Sequence, residues 1–524
     1  MNIFYKRLIL ILSFSVVFFM AVPFRASSQS LKSGASLRVI STEYFDIIFP
    51  DQSRSSAELL ATFADETLKQ VTTLLGIPYE ERIPVTISPY TDVFNGYMNP
   101  FPYSHIVLYD APPDVEITTY RNSLESLFLH ELTHVVSLHT RSPFLSTMHK
   151  IFGAWVNPAG VSAPMFMVEG VTVSFESLEG FGRANDPLVH HALVQAYHEG
   201  KFLTPFQASG VYDHPPFGRA YYEYGGLFSA WLQEKYGMEQ YAVLWHELGK
   251  IPKFSIFFYR HGFFARFERV YGISFLDAWK GFADSFYLEG ILTNPAGILN
   301  AKDMMIRSVA AGKSSAYALD QYSRSVVEIN SNTGVQRQAA KVGSSSASIA
   351  ISPDDSLLLV SGYRMSGQLA SSEVYEYAVE SGTKTGRVWK GVTKAAYFRD
   401  GIIALSSEGH ANNLVYCEKG KIPELLLTGN PECLFSAPVP LDERRIAFIV
   451  SIQGARRIGI YDYDIRKAFL FEIDNESDAD IFRYARGLSS SSGNLLFSYH
   501  DGQGLYKLAC IKSAAKNPQL VCCD

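Results

Sequence analysis

The sequence predicts a multidomain protein: an α+β domain followed by an all-β propeller-like domain. Three observations carry that expectation. Between residue 38 and Tyr109, short runs alternate in strand fashion around one long helical stripe, and from Arg121 to about Glu289 the pattern is mainly helical. Strands first and helices after is the order of an α+β domain. Past residue 305 the chain breaks into short β-rich runs whose turns, at Asp354, Asp400, Asp442 and Ser492, recur every 42 to 50 residues, the size of a propeller blade. With 524 residues and 47% hydrophobic content, the chain can build more than one core. The divisions read as 1–28, 36–292 and 305–524.

Taken in order, Lys6 and Arg7 precede an apolar run from Leu8 to Val22, and Ala26-Ser-Ser28 supplies the small residues a signal peptidase reads. The segment predicts export to the periplasm or beyond, with no stable membrane span after cleavage. Fifteen apolar residues are short for a span, so an uncleaved anchor is the weaker alternative. Residues 38–49 alternate as a strand, and Ser55 to Leu75 carries a helical stripe closed by Gly76. Pro84 to Ser88 and His105 to Tyr109 read as strands. If the latter borders a cleft, its backbone could pair with an extended substrate; otherwise it is paired on both sides. Helices are expected over Pro187–Glu199, Tyr221–Tyr236 and Glu239–Leu248, with two more ending near Glu289. The aromatic stretch 140–164, with Phe144, Phe152 and Trp155, either walls a site or packs on the core.

The chemistry gathers around Phe128-Leu-His-Glu-Leu-Thr-His134. The run from Leu124 to Leu138 has the apolar spacing of a mostly buried helix, and His130 and His134, four apart, share one face of it. Two imidazoles so placed can aim at one zinc ion, with Glu131 as general base. A histidine at the sixth position beyond His134 would complete one kind of site, but Thr140 stands there. His139 lies about 140° around the helix and points away. Glu169, in the apolar segment Phe166 to Glu176 that starts after Pro164, is the better third ligand, leaving a fourth position to water. Glu176 is placed to orient a ligand or is an ordinary exposed glutamate. His190, His191, His198 and His214 lack ligand spacing to the motif.

HELTH followed 35 residues after its second histidine by VEG resembles the gluzincin metallopeptidases, in particular the bacterial peptidase MA-like family. The resemblance covers roughly residues 38 to 290. Thr42-Glu-Tyr-Phe-Asp-Ile-Ile is similar to the family's opening strand, and Asn95 to Tyr109 to the segment entering its cleft-edge strand. Tyr222-Glu-Tyr-Gly225 resembles the Tyr-x-x-Gly helix whose tyrosine supports the transition state. The resemblance implies a zincin-like fold, one zinc held by His130, His134 and Glu169, Glu131 as base and Tyr222 as oxyanion donor. Tyr221 and Tyr224 are rivals for the last role. No GxMEN-type segment precedes the motif, so aminopeptidase action is not implied. The second region is similar to TolB-type propellers, about five blades fitting its length, with ring closure and a β-sandwich left open.

The net charge of −6, without a dense Lys/Arg run, offers no footprint for nucleic acid. All five cysteines follow residue 416, so the first domain holds no disulfide. The expected function is an exported zinc metallopeptidase acting on peptide or protein. The alternatives are a catalytically silent scaffold that binds a partner through the propeller, or a zinc hydrolase of a non-peptide, cell-wall amide.

Overall fold

A computed structural model describes residues 31, 34–210, 216–250, 262–290, 304–367, 369–471, 481–502, 505–512 and the strand Gln519–Cys523. The export segment and His214 lie outside the described residues, as do the side chains of Cys522 and Cys523. Cys417, Cys433 and Cys510 are free thiols. Among the described residues, no helix is long and apolar enough to cross a membrane.

The amino-terminal region is α+β. Five strands form one sheet: β1 (Leu37–Ser41), β2 (Phe45–Pro50), β3 (Ile83–Ser88), β4 (Gly96–Asn99) and β5 (His105–Tyr109), in the order β1-β2-β3-β5-β4. The single strand expected over 38–49 is a hairpin, folded at Thr42, where the Asp65 carboxylate accepts the Thr42 hydroxyl and the Glu43 and Tyr44 amides. Alternation buries Phe45, Ile47, Phe49, Ile83, Val85, Ile87, Ile106 and Leu108 against helix α1 (Arg54–Leu75) and helix α2 (Ser123–Leu138). Gly76 ends α1 in the left-handed region, φ 63°.

One expectation is corrected here. β5 is not at the cleft edge: it pairs with β3 on one side and β4 on the other. The edge belongs to β4, which the sequence hides because its four residues are too short to show a period.

Two further helices complete the frame of the site: α3 (Met165–Phe175) and α4 (Ala220–Tyr236). Glycines let them touch. A Cβ on Gly170 would fall 2.4 Å from the Gly225 carbonyl oxygen, and one on Gly225 would fall 2.0 Å from that of Phe166. The approach places Glu169 and Tyr222 on neighbouring turns across one helix contact. The helices expected near 187–199 and 239–248 are present at Pro187–His198 and Met238–Leu248.

The carboxy-terminal region is a five-bladed β-propeller. Each blade is a four-stranded antiparallel sheet of consecutive strands. Five separate meanders exclude the sandwich alternative. Among the described residues, no strand from elsewhere joins the first or last blade. The first strands of successive blades adjoin one another: Ile306–Ala311, Ser346–Ile351, Val392–Phe398, Cys433–Pro440 and Arg486–Ser491.

The two regions meet over the segment that joins β5 to α2. Lys394 Nζ lies 2.8 Å from Asp114 and 2.7 Å from Glu116. Arg456 donates to the Val115 carbonyl at 2.7 Å, and Arg486 donates to the carbonyls of Glu116 and Ile117. Each of these cations comes from a propeller strand. Arg456 and Arg486 are buried and Lys394 is 18% exposed; each is paired with a carboxylate or carbonyl of the first region, although Arg456 Nη1 is buried without a hydrogen-bond partner.

Candidate metal centre

Helix α2 starts where the Asn122 side chain accepts from the amides of Leu124 and Glu125, and its apolar face packs Phe128 on Phe45. That fixes the opposite face. His130 and His134 point from it toward Glu169 on α3: Glu169 Oε2 is 3.5 Å from His130 Nε2 and 3.2 Å from His134 Nε2. One ligand atom from each of the three lies within 4.8 Å of the others, the arrangement expected from the motif.

The donor set can be tested against what a metal needs. His130 Nδ1 sits 3.0 Å from Glu176 Oε2 and 2.9 Å from Arg183 Nη2. A proton on Nδ1 can only be shared with the carboxylate, which leaves Nε2 with a lone pair aimed at Glu169. Thr172 Oγ1, 3.2 Å from that Nε2, donates instead to the Glu169 carbonyl at 2.7 Å. Glu169 Oε2 itself is buried without a hydrogen-bond partner. Electron-pair donors therefore converge on one point, and a cation there would satisfy them. Two imidazoles and a carboxylate are a set that suits zinc.

The electrostatics agree in direction. Burial and Arg183 oppose a charge on His130, but Glu169 and Glu176 outweigh them and carry it up to about 9. The site calls for positive charge. Burial would raise Glu169, yet His134 and His130 pull it well below the carboxylate range. Glu131 goes the other way: burial pushes it up, with Glu169 adding to the push, against the pull of His130 and His134. A carboxyl raised in this way is suited to take a proton. Gly96 of β4 gives it room, since a Cβ there would be 3.1 Å from Glu131 Cγ.

Glu176 is not an exposed glutamate. It caps the carboxy end of α3, its carboxylate is buried, and Arg183 grips it at 2.7 and 2.8 Å, holding it down at about 2 although burial opposes that. Arg183 also lies over the Tyr222 ring, 4.8 Å from its centroid. Sequence reasoning missed Arg183. The one signal available was that a buried Glu176 demands a cation within loop reach.

Of the three candidate tyrosines, Tyr222 lines the cleft with His130, Glu131, His134 and Glu169. Burial first, then the charge of Glu169, raises its hydroxyl, so it stays a donor. Tyr224 faces the core, stacked on Trp279, with its oxygen accepting from the Leu203 amide at 3.4 Å. Tyr221 packs against the core and the Tyr222 ring. His139 does point away: its ring packs at a tilt against Tyr79 and accepts from Arg141, and burial depresses it to about 3. His190 and His198 make packing and backbone contacts instead. The aromatics of the 140–164 stretch are not core, although Ala159 is: Phe144, Phe152 and Trp155 are exposed, and Trp155 meets Phe101 beside the cleft residue Pro100.

The cleft has a volume of about 610 Å³. One wall is the metal cluster with β4; the other is the propeller, through Arg307, Ala347, Tyr363, Thr393, Asn412 and Phe435. Sequence reasoning gave the propeller no part in this site.

No family model matches the chain. A protein of Treponema pallidum (strain Nichols), described as uncharacterized, is 28% identical over 382 residues, 72% of this chain and 34% of its own length. The chain thus spans about a third of the relative it matches. Among solved structures, TolB from Acinetobacter baumannii is similar with a TM-score of 0.32 and 14% identity over 43% of this chain and 56% of that one. The acylaminoacyl peptidase of Pyrococcus horikoshii is similar with a TM-score of 0.30 and 12% identity over 40% and 37%. The blade count rests on the five sheets themselves.

Proposed function

We propose that the protein is a zinc-dependent metallopeptidase of the gluzincin kind, with a zincin-like first domain, working outside the cytoplasm behind the amino-terminal export segment. One observation supports the reading above others: His130, His134 and Glu169 converge, with Glu131 and Tyr222, in one cleft. Zinc, when bound, would acidify water and polarise a scissile carbonyl. His130, His134 and Glu169 hold it, and Glu176 fixes the His130 ring through Nδ1. Glu131 takes the proton of the attacking water and delivers it to the leaving amine. The Tyr222 hydroxyl donates to the oxyanion that develops on the carbonyl, a contact whose loss costs about 3 kcal/mol in such sites. β4, at the sheet edge, offers backbone groups to an extended chain.

The test is hydrolysis of a mixed peptide library by the full chain, beside a Glu131→Gln variant and a chelator-treated sample, with zinc content measured on each. Cleavage by the parent alone supports the reading. An intact library from a protein carrying one zinc per chain would rule out general peptidase action and turn attention to other amides.

A further inference from the structure

The first strands of all five blades are irregular at the same place. Register shifts fall between Ile306 and Ser308, Ser346 and Ser348, Thr393 and Ala396, Ser436 and Val439, and Arg486 and Ser489. Lys394, Ala437 and Gly487 take positive φ there, 52°, 45° and 63°. A bulge re-aims the residue it contains. The bulges hold Arg307, Ala347, Lys394, Ala437 and Gly487, one per blade; Arg307, Ala347 and Lys394 line the cleft, and Lys394 and Gly487 bond Glu116 of the first region.

Three of the five blades already bond one carboxylate of the first region. Glu116 accepts from Lys394 of the third blade, from the Ser436 hydroxyl of the fourth at 2.7 Å and from the Gly487 amide of the fifth at 2.8 Å. Asp114 shares Lys394 at 3.0 Å. The propeller mouth is therefore a carboxylate-binding surface, filled on that side by the protein's own carboxylates. Of the bulge positions only Arg307 and Lys394 are basic. Arg307 is exposed, lines the cleft with the metal cluster, and has no carboxylate within ion-pair distance among the described residues.

We propose that Arg307 is a carboxylate subsite of the cleft, doing for a bound peptide what Lys394 does for Asp114 and Glu116. This rests on the peptidase reading above and names its substrate class: an extended peptide lying between β4 and the propeller mouth, with a carboxylate on the propeller side. Arginine offers that group a two-point fork. The carboxylate comes either from an acidic side chain or from the chain end. Because the propeller stands over the cleft, segments of unfolded or short chains fit and folded proteins do not.

Binding tests this without turnover. Three peptides of one length, labelled with an uncharged dye, are titrated by fluorescence anisotropy into the full-length Glu131→Gln protein. One has an acidic side chain and an amidated end, one has neutral side chains and a free carboxyl end, and one is neutral and amidated. At least one carboxylate peptide should bind ten-fold or more tighter than the neutral one, and which does so names the source. Adding Arg307→Glu should erase the difference, while Arg307→Lys should keep most of it and guard against a folding artefact. Equal binding of all three, a preference that survives Arg307→Glu, or no binding at all would overturn the inference. Zinc-dependent cleavage of the neutral peptide by the parent judges the peptidase reading separately.

Discussion

The cleft has two walls of opposite construction. On the α+β side a chain of paired side chains backs the site: His130 is held by Glu176, Glu176 by Arg183, and Asp186, three residues on, by Arg486 of the propeller at 2.6 Å. On the propeller side the cleft is lined from several strands, with the bulge residues Arg307, Ala347 and Lys394 among the lining, and Arg307 is solvent-exposed. Buried partners fix geometry to fractions of an ångström, which bond-making needs. Exposed groups on a rigid ring tolerate varied ligands. On the function proposed above, the difference would put chemistry on one wall and recognition on the other.

Substitutions can break this division. The largest effect is expected from Glu131→Gln, which should lower kcat by about 10²–10⁴-fold, the range for a positioned base, while zinc content and peptide binding persist. If kcat survives, the α+β wall does not do the chemistry. Next is Arg486→Ala. Arg486 and Asp186 are 8% and 2% exposed, so the variant strands a buried carboxylate. It should cost about 3–5 kcal/mol in urea unfolding. A shift under about 1 kcal/mol would mean the propeller does not brace the 183–186 turn.

The two walls also differed in how legible they were. HExxH and Glu169 could be read because each ligand sits on a helix whose apolar spacing shows in the sequence, and the blade turns because they repeat. Arg183 could not: it lies in a three-residue turn whose only cue is a carboxylate seven residues earlier. The edge role of β4 was hidden by its length. Arg307 was invisible for another reason. Its meaning comes from a bulge register within its own blade and from Asp114 and Glu116, about 190 residues earlier, bonding other blades of the propeller.

Within the α+β wall, Glu223 sharpens what a partner must be. Glu176 and Glu223 are both buried carboxylates, but Arg183 grips the first through two nitrogens and is 26% exposed, whereas Arg219, 3.1 Å from the second, is 58% exposed. Burial accordingly wins at Glu223 and pushes it up to about 7, with Arg219 only partly opposing. A raised acid favours its neutral form in the fold. Its contribution is whole below the unfolded value near 4.5 and is lost as pH rises through about 7. Glu223→Gln should match the parent near pH 4 and exceed it in stability above pH 7, by at most about 3 kcal/mol at about 1.4 kcal/mol per pKa unit. Parallel unfolding curves at all pH values would show that water reaches this carboxylate.

The smallest effect asks whether orientation on the α+β wall is separable from ligation. Glu176→Gln keeps an acceptor for His130 Nδ1 but removes the negative charge that makes the imidazole a better donor through Nε2. Zinc affinity, measured against a chromophoric chelator, should fall by about 10–100-fold, the usual cost of losing such a partner. The same change leaves Arg183, 26% exposed, without its counter-charge, so a stability loss alone would not be informative. Pairing it with Arg183→Met removes that strain. If the double variant regains stability but not affinity, the Glu176 charge acts on the metal through His130; if both return together, Glu176 and Arg183 serve only to pack the turn.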